Sequence, residues 1–154
     1  MNPLENWYAG TYIIYHGSDR MYIVFVQKKS EESTRELLRI PGGKRERALD
    51  NTPEETALRE IYEETGLNFF KQKDLLEKTS ESLKQDYARY LYKIHITGEP
   101  PEDLITKAPW EIHKVMTLDE DEILYQGAPI LEPYHKGASA IIKNYKTSKY
   151  IPKQ

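Results

Sequence analysis

The sequence predicts an α+β domain with a mixed β-sheet, and three observations support this fold class. Residues 7–15 and 21–27 are rich in aromatic and β-branched side chains and flank a short turn, which predicts a strand hairpin. An amphipathic pattern predicts a helix at Pro53–Thr65, and alternating polarity predicts another strand at residues 87–97. Strands on both sides of a helix along the chain favour an α+β arrangement.

The helix prediction depends on signals at both of its ends. Thr52 is a suitable N-cap, Pro53 fits the first helical position, and Glu55 completes a capping box. Apolar residues then recur every three or four positions, which gives the helix one face for packing. Gly66 fits the left-handed position that commonly ends a helix. These signals together define the whole helix from contiguous sequence.

Shorter elements complete the predicted order. A strand is expected at residues 37–40, and a turn follows at Pro41, Gly42 and Gly43, because proline cannot donate to a ladder and glycine favours turns. The remaining predictions are strands at residues 76–83 and 111–116, loops at 28–36 and 98–109, a short helix capped by Thr117 or Asp119, and a terminal helix at 138–145.

The length of 154 residues suits one domain, which we place at residues 1–145, with residues 146–154 as a flexible tail. The first residues lack the pattern of a secretory leader, and no apolar run is long enough to span a bilayer. The absence of cysteine excludes disulfides and thiolate chemistry and fits a cytoplasmic protein. The net charge of −3 argues against general nucleic-acid binding.

Three carboxylates form a stripe on the predicted helix. At about 100° per residue, Glu60, Glu63 and Glu64 lie within one arc of roughly 100°. An exposed acidic face is the ordinary explanation of such a stripe. However, Glu63 and Glu64 lie in the last helical turn, where the helix dipole disfavours each anion by roughly 0.3–1 kcal/mol. A divalent cation would offset both this penalty and the mutual repulsion, so the stripe is a candidate magnesium site.

A basic, glycine-rich segment precedes the helix. Gly42 and Gly43 permit close approach of the backbone, and Lys44, Arg45 and Arg47 add three positive charges. A basic surface loop is the simpler interpretation of this segment on its own. Beside an acidic metal site, it predicts a clamp for phosphate oxygens, because a cation and basic side chains can share developing charge.

Residues 43–67 resemble the Nudix box, G-x5-E-x7-R-E-U-x-E-E-x-G-U, in which U is a bulky aliphatic residue. The second half, Arg-Glu-Ile-Tyr-Glu-Glu-Thr-Gly-Leu at residues 59–67, matches without a gap. The first half departs, because the loop is two residues longer and Asn51 stands where the family carries a glutamate. Asp50 and Glu46 are the candidates to replace that glutamate.

The resemblance implies a Nudix-like α/β/α sandwich that uses Mg²⁺ or Mn²⁺ to hydrolyse a nucleoside diphosphate linked to another group. It implies that Glu60, Glu63 and Glu64 bind the metal and that the Gly43 carbonyl is a further ligand. Arg59 would orient the carboxylates, and Glu60 or Glu63 would help to activate the attacking water.

The resemblance also implies one more acidic ligand from a later loop. Glu111 is the first choice, and Glu102 and Asp103 are its alternatives. The basic residues expected to steady the diphosphate are Lys44, Arg45 and Arg39.

Two alternatives follow from the same residues. Asn51 and the longer loop also fit a Nudix-fold module that binds a nucleotide with weak or no hydrolysis. The related isoprenoid diphosphate isomerases resemble the family too, but they need a cysteine that this chain lacks. The expected partner is a small nucleotide-type molecule. The sequence leaves its identity open, as it does the choice between monomer and homodimer.

Overall fold

A mixed, seven-stranded sheet organises the computed structural model, which describes residues 5–29 and 36–148. The strands are β1 (Trp7–His16), β2 (Met21–Lys28), β3 (Leu38–Arg39), β4 (Gly42–Lys44), β5 (Glu77–Leu83), β6 (Ala88–Thr97) and β7 (Ile112–Asp119). The helices are α1 (Pro53–Thr65), α2 (Glu120–Leu124) and α3 (Glu132–Ser148), with a 3₁₀ helix at Phe70–Leu75.

Strand β1 lies at the centre of the sheet, whose order is β3-β2-β1-β6-β5. It pairs antiparallel with β2 and parallel with β6. Strand β4 pairs with the first half of β1, and β7 pairs with β2. The combination of parallel and antiparallel pairs confirms the predicted mixed sheet.

Helix α1 packs on one face of this sheet. Leu58 and Ile61 of the helix join a buried cluster with Ile13, Val24 and Ile94, which come from β1, β2 and β6. Both helical residues belong to the apolar face that the sequence pattern predicts. This packing anchors one side of α1, so its carboxylate side is directed toward β4.

Helix α3 packs on the opposite face of the sheet. Tyr134, Ala138 and Ile142 of the helix are buried against a cluster that includes Tyr12 and Ile23. Adjacent residues of β1 and of β2 therefore point to opposite helices, as the pleat of a strand requires. Helices on both faces confirm the predicted α/β/α layering.

The helix ends show how far local signals extend. Thr52 caps α1 because its side-chain oxygen accepts a hydrogen bond from the Glu55 N–H. The Glu55 carboxylate in turn accepts one from the Thr52 N–H, as predicted. Of the two residues proposed to cap α2, the cap is Asp119, which forms a capping box with Glu122. Within the residues that the structure describes, no helix is long and apolar enough to cross a membrane.

The predicted turn at Gly42 and Gly43 is wrong, because both residues belong to β4. Gly42 lies opposite Gly10, and Gly43 lies opposite Ala9. Glycine permits this approach, since a Cβ on Gly42 would lie 2.7 Å from the Ala9 carbonyl oxygen. The strand prediction just before this point was too long, because β3 contains only two residues.

Helix α3 is longer than the terminal helix predicted at residues 138–145. It begins earlier because Pro133 is tolerated in the first helical turn. It also continues into the expected tail as far as Ser148, where Lys146 forms an ion pair with Glu120 of α2. The rest of the expected tail, residues 149–154, lies outside the described residues.

Candidate metal and diphosphate site

The carboxylates of α1 meet the backbone of β4. The Gly42 N–H donates to Glu64 Oε1 at 3.0 Å. The Glu60 carboxylate lies directly against the Cα of Gly43, where the Cβ of any other residue would collide with it. The two glycines therefore permit the predicted close approach, Gly42 to the backbone of β1 and Gly43 to the Glu60 carboxylate of the acidic helix.

Arg59 is held by Asp50, which lies in the lengthened loop before α1. Two guanidinium nitrogens, Nε and Nη2, donate to the Asp50 carboxylate at 3.0 and 2.7 Å. Thr56 Oγ1 and the Glu46 N–H donate to the same carboxylate. Burial alone would raise the pKa of Asp50, but these hydrogen bonds outweigh it and hold the pKa below its usual range. Of the two candidates to replace the missing glutamate, Asp50 is thus the one that makes a two-point contact with Arg59.

The other end of the Arg59 guanidinium faces the helix carboxylates. Its Nη1 lies 3.1 Å from Glu60 Oε1 and 3.1 Å from Glu63 Oε2. Its Nη2 also donates to the Lys44 carbonyl at 3.2 Å. The hydrogen bond to Asp50 and the nearby carboxylates raise the Arg59 pKa, so this cation is permanent. The geometry places Arg59 where the resemblance implies an orienting residue.

Burial separates the three glutamates into two kinds. The side chains of Glu60 and Glu64 are 8% and 1% exposed, whereas that of Glu63 is 41% exposed. Burial raises the pKa of Glu60 to about 7 and that of Glu64 to about 8. Repulsion from Glu63 adds to the shift of Glu60, and repulsion from Glu60 adds to that of Glu64. Two buried carboxyls with raised pKa values form a site in which a further cation would be stabilising.

Lys28 is another cation of this cluster, and no pattern in the sequence points to it. Its Nζ lies 3.2 Å from the Gly42 carbonyl oxygen, 3.6 Å from Glu64 Oε2 and 3.7 Å from Glu111 Oε1. The lysine is the last residue of β2, where a bulge shifts the pairing with β7. Its place in the cluster depends on that long-range pairing, which no local pattern encodes.

Among the three candidates for the late acidic residue, the structure brings Glu111 to the cluster. Its charge acts on the carboxyl groups of Glu60 and Glu64 and raises the pKa of both. Glu102 and Asp103 line a separate groove near the strand face. The pairing of Lys29 N–H with the Glu111 carbonyl, at 2.9 Å, fixes Glu111 at the end of β7 beside β2.

The carbonyl that faces this cluster belongs to Gly42. Carbonyl direction alternates along a strand, and Lys28 and Arg59 contact the carbonyls of Gly42 and Lys44. The intervening carbonyl of Gly43, the expected ligand, therefore points toward β1. The carbonyl directed toward the carboxylates is thus that of the preceding residue, Gly42.

The oxygens present suit a hard divalent cation. Carboxylate and carbonyl oxygens from α1, β4 and the start of β7 converge, which is the donor type that Mg²⁺ prefers. Glu64 Oε2 is buried without a hydrogen-bond partner in the described part of the chain. Among those same residues, no three acidic or histidine side chains already surround one metal position. Lys28 and Arg59 instead hold the carboxylates from either side.

Arg45 is committed to structural contacts. Its guanidinium lies 4.3 Å from the centre of the Trp7 ring and donates to the carbonyls of Asp50 and Glu5. Trp7 in turn is buried and donates its Nε1–H to Thr56 at 2.8 Å. Arg45 thus has Nε and Nη1 engaged at the base of the loop, and it also lines the cavity shared by Lys44 and Arg39.

Lys44 and Arg39 line a cavity of about 590 Å³, and Tyr8 in its wall places its hydroxyl against Gly42 of the carboxylate cluster. Arg89, which the sequence analysis did not single out, lines the same cavity between the rings of Tyr8 and Tyr134. Arg89 also donates to the Tyr134 hydroxyl at 2.7 Å. Cations and tyrosine rings together suit a ligand with both anionic groups and a flat ring.

Fold and site together define an α/β/α sandwich with a carboxylate-bearing helix against a glycine-rich strand. The chain belongs to the NUDIX domain family, whose model matches residues 7–138. No curated protein matches the sequence.

Solved structures share the fold at low sequence identity. The chain is similar to a MutT/nudix family protein from Enterococcus faecalis (20% identity, TM-score 0.61), covering 77% of this chain but 44% of that one. It is also similar to the NUDIX domain of Shewanella oneidensis NrtR, complexed with ADP ribose. The identity is 14% and the TM-score 0.66, and the match covers 94% of this chain and 88% of that one. A NUDIX family hydrolase from Clostridium perfringens is similar with 16% identity and a TM-score of 0.65, and the match covers 93% of this chain and 98% of that one. At these identities the likeness concerns the fold.

Proposed function

We propose that this chain hydrolyses a diphosphate linkage in a nucleotide-type substrate with the help of Mg²⁺ or Mn²⁺. One observation carries the proposal: two buried glutamates, one with an oxygen that has no hydrogen-bond partner among the described residues, lie with the Gly42 carbonyl close to a basic, tyrosine-lined cavity. Membership of the NUDIX domain family supports the same chemistry.

Glu60, Glu64, Glu111 and the Gly42 carbonyl would hold the metal, with Glu63 at the edge of the site. When bound, the metal lowers the pKa of a water molecule and neutralises diphosphate charge. Arg59, anchored by Asp50, keeps the Glu60 and Glu63 carboxylates in place. Glu63 is the most exposed of the three helix glutamates, so it is the one we assign to take a proton from the attacking water.

The neighbouring cavity would hold the rest of the substrate. Lys44 and Arg39 line this cavity and would contact the diphosphate oxygens. Tyr8 and Tyr134 would contact a flat group such as a nucleobase. ADP ribose, the ligand of the similar NrtR domain, has both a diphosphate and a base and is therefore one suitable test compound.

Assays of diphosphate cleavage with and without EDTA test this function. The substrates should include ADP ribose, a nucleotide sugar, a dinucleoside polyphosphate and a nucleoside triphosphate. We expect turnover of at least one with Mg²⁺, and a loss of about 10²-fold or more in Glu64→Gln and Glu63→Gln. The control is Glu54→Gln on the same helix, because Glu54 contacts Tyr92 away from the cluster. Turnover that survives EDTA and both substitutions would overturn the proposal.

A second candidate is a nucleotide-binding module that hydrolyses its ligand slowly or not at all. The similar NrtR domain is complexed with ADP ribose. Calorimetry distinguishes the two functions: metal-dependent binding of a nucleotide without turnover across the whole panel favours the module. The engaged Asp50–Arg59 pair favours the enzyme, because it supplies the support that Asn51 lacks.

A further inference from the structure

Lys28 is brought to the carboxylate cluster by an irregularity in the sheet. Gln27 pairs with Lys114, but Lys28 pairs with Ile112, so one residue of β7 is skipped. The extra residue bends the end of β7 and places Glu111 next to Lys28. The Lys28 side chain is 16% exposed, and its ammonium group lies within the cluster.

The Lys28 ammonium contacts oxygens from three separate parts of the chain. They are the Gly42 carbonyl of β4, Glu64 Oε2 of α1 and Glu111 Oε1 before β7, at 3.2, 3.6 and 3.7 Å. Two of these distances exceed a hydrogen bond, so the ammonium is held mainly by charge. Glu64 Oε2 has no hydrogen-bond partner among the described residues, which leaves Lys28 as its close cation.

We propose that the Lys28 ammonium is a tethered counterion that occupies the place of the divalent cation and must withdraw before the metal binds. This inference rests on the metal site of the proposed function. A lysine suits the role, because its charge is compact and its four-carbon stem is flexible. The same oxygens cannot hold both cations, since two positive charges at this separation repel one another. Lys28 therefore sets how tightly the metal is held, as a positioning residue.

Metal affinity distinguishes the counterion role from simple structural damage. Loss of a competing cation should strengthen metal binding, whereas damage to the site should weaken it. Lys28→Met keeps the length of the side chain and removes its charge. We expect its dissociation constant for Mn²⁺, measured by calorimetry without nucleotide, to fall at least about tenfold. The matched control is Lys29→Met, which removes the same charge from an exposed neighbour. We expect the control to stay within about threefold of the original chain. Lys28→Gln serves as a second variant if Lys28→Met does not fold.

Thermal melting in EDTA tests the counterion role without any bound metal. We expect Lys28→Met to have a lower melting temperature than Lys29→Met, because Glu64 and Glu111 lose a compensating charge. We expect added Mg²⁺ to reverse this order. If Lys28→Met binds Mn²⁺ no more tightly than Lys29→Met, Lys28 is not a counterion that competes with the metal. That result would contradict this inference but not the metal site itself. No Mn²⁺ binding by the original chain and both variants would overturn the metal site, and the counterion with it.

Discussion

At the scale of single residues, the Asp50–Arg59 pair matters most. It determines whether Arg59 can still hold the helix carboxylates in place although the first half of the Nudix box departs from the pattern. Asn51, at the position of the missing glutamate, is exposed, and its N–H donates to Glu55 instead. The longer loop brings Asp50 to the guanidinium in a two-point contact, which is the strongest geometry for an arginine and a carboxylate. Glu46 lies 3.9 Å from the same guanidinium and is 59% exposed, so it contributes little.

Asp50→Asn should destabilise the fold and weaken the site together. The substitution leaves Nε and Nη2 of the largely buried Arg59 guanidinium without their anionic acceptor, which typically costs about 1–3 kcal/mol. Urea unfolding measures the loss of stability, and Mn²⁺ calorimetry measures the loss of metal affinity. Glu46→Gln is the matched control and should change the free energy of unfolding by less than about 0.5 kcal/mol. Equal effects of the two substitutions would contradict the role given to Asp50.

At the scale of elements, α1 differs from its neighbours because its ends are determined locally. Its cap, its first proline and its final glycine all lie within the helix or next to it. Gly66 ends the helix with a φ of 81°, and a Cβ there would lie 2.8 Å from the Ile105 carbonyl oxygen. At the helix end that presents Glu63 and Glu64, Gly66 therefore provides both the left-handed cap and a close approach to a distant loop.

Gly66→Ala should destabilise the protein by more than the cost of placing an alanine in a left-handed backbone conformation. The backbone conformation accounts for about 1–2 kcal/mol, and the approach of the Ile105 carbonyl adds to it. Gly127→Ala is the matched control, because Gly127 has a φ of 65° but open space around its Cα. Chemical denaturation of both variants measures the difference. A loss in Gly66→Ala no larger than in Gly127→Ala would show that the loop contact is unimportant.

At the scale of the whole molecule, a buried histidine pair lies where β1 and β6 approach the end of α3. His16 Nε2 and His95 Nδ1 are 2.7 Å apart, and the His16 ring lies 4.7 Å from that of Tyr145. Burial lowers the pKa of His95 from 6.5 to about 4, and the charges of His16 and Lys93 add to this shift. Burial lowers the pKa of His16 as well. The packing of sheet and helix thus favours neutral imidazoles.

The stability of the fold should therefore fall as the medium becomes acidic. Unfolded His95 takes up a proton below its ordinary pKa of 6.5, whereas folded His95 does so only near 4. The free energy of unfolding then decreases through this window, by roughly 2–3 kcal/mol from this group, and levels off below it.

Urea unfolding of the original chain and of His95→Gln at several pH values measures this contribution. The original chain should lose more stability than His95→Gln between neutral pH and pH ~4. His113→Gln, a substitution at an exposed histidine, should follow the original chain. Parallel pH profiles for all three proteins would contradict the assigned pKa of His95.

Features encoded in contiguous residues were predictable from the sequence. The capping box and helical periodicity define α1 completely, and the order of strands and helices indicates the α/β/α fold. The stripe of Glu60, Glu63 and Glu64 and the adjacent Arg59 follow from the same periodicity. These inferences succeed because helix geometry relates residues that are close in sequence.

Only the tertiary structure decided which distant groups complete the site. It selects Asp50 over Glu46 and Glu111 over Glu102 or Asp103, and it turns the Gly42 carbonyl to the cluster. It also adds Lys28, whose position depends on a bulge between two paired strands. Strand register and the packing of α1 on the sheet determine these contacts, and both are set by side chains far apart in the sequence. Local periodicity carries no information about them.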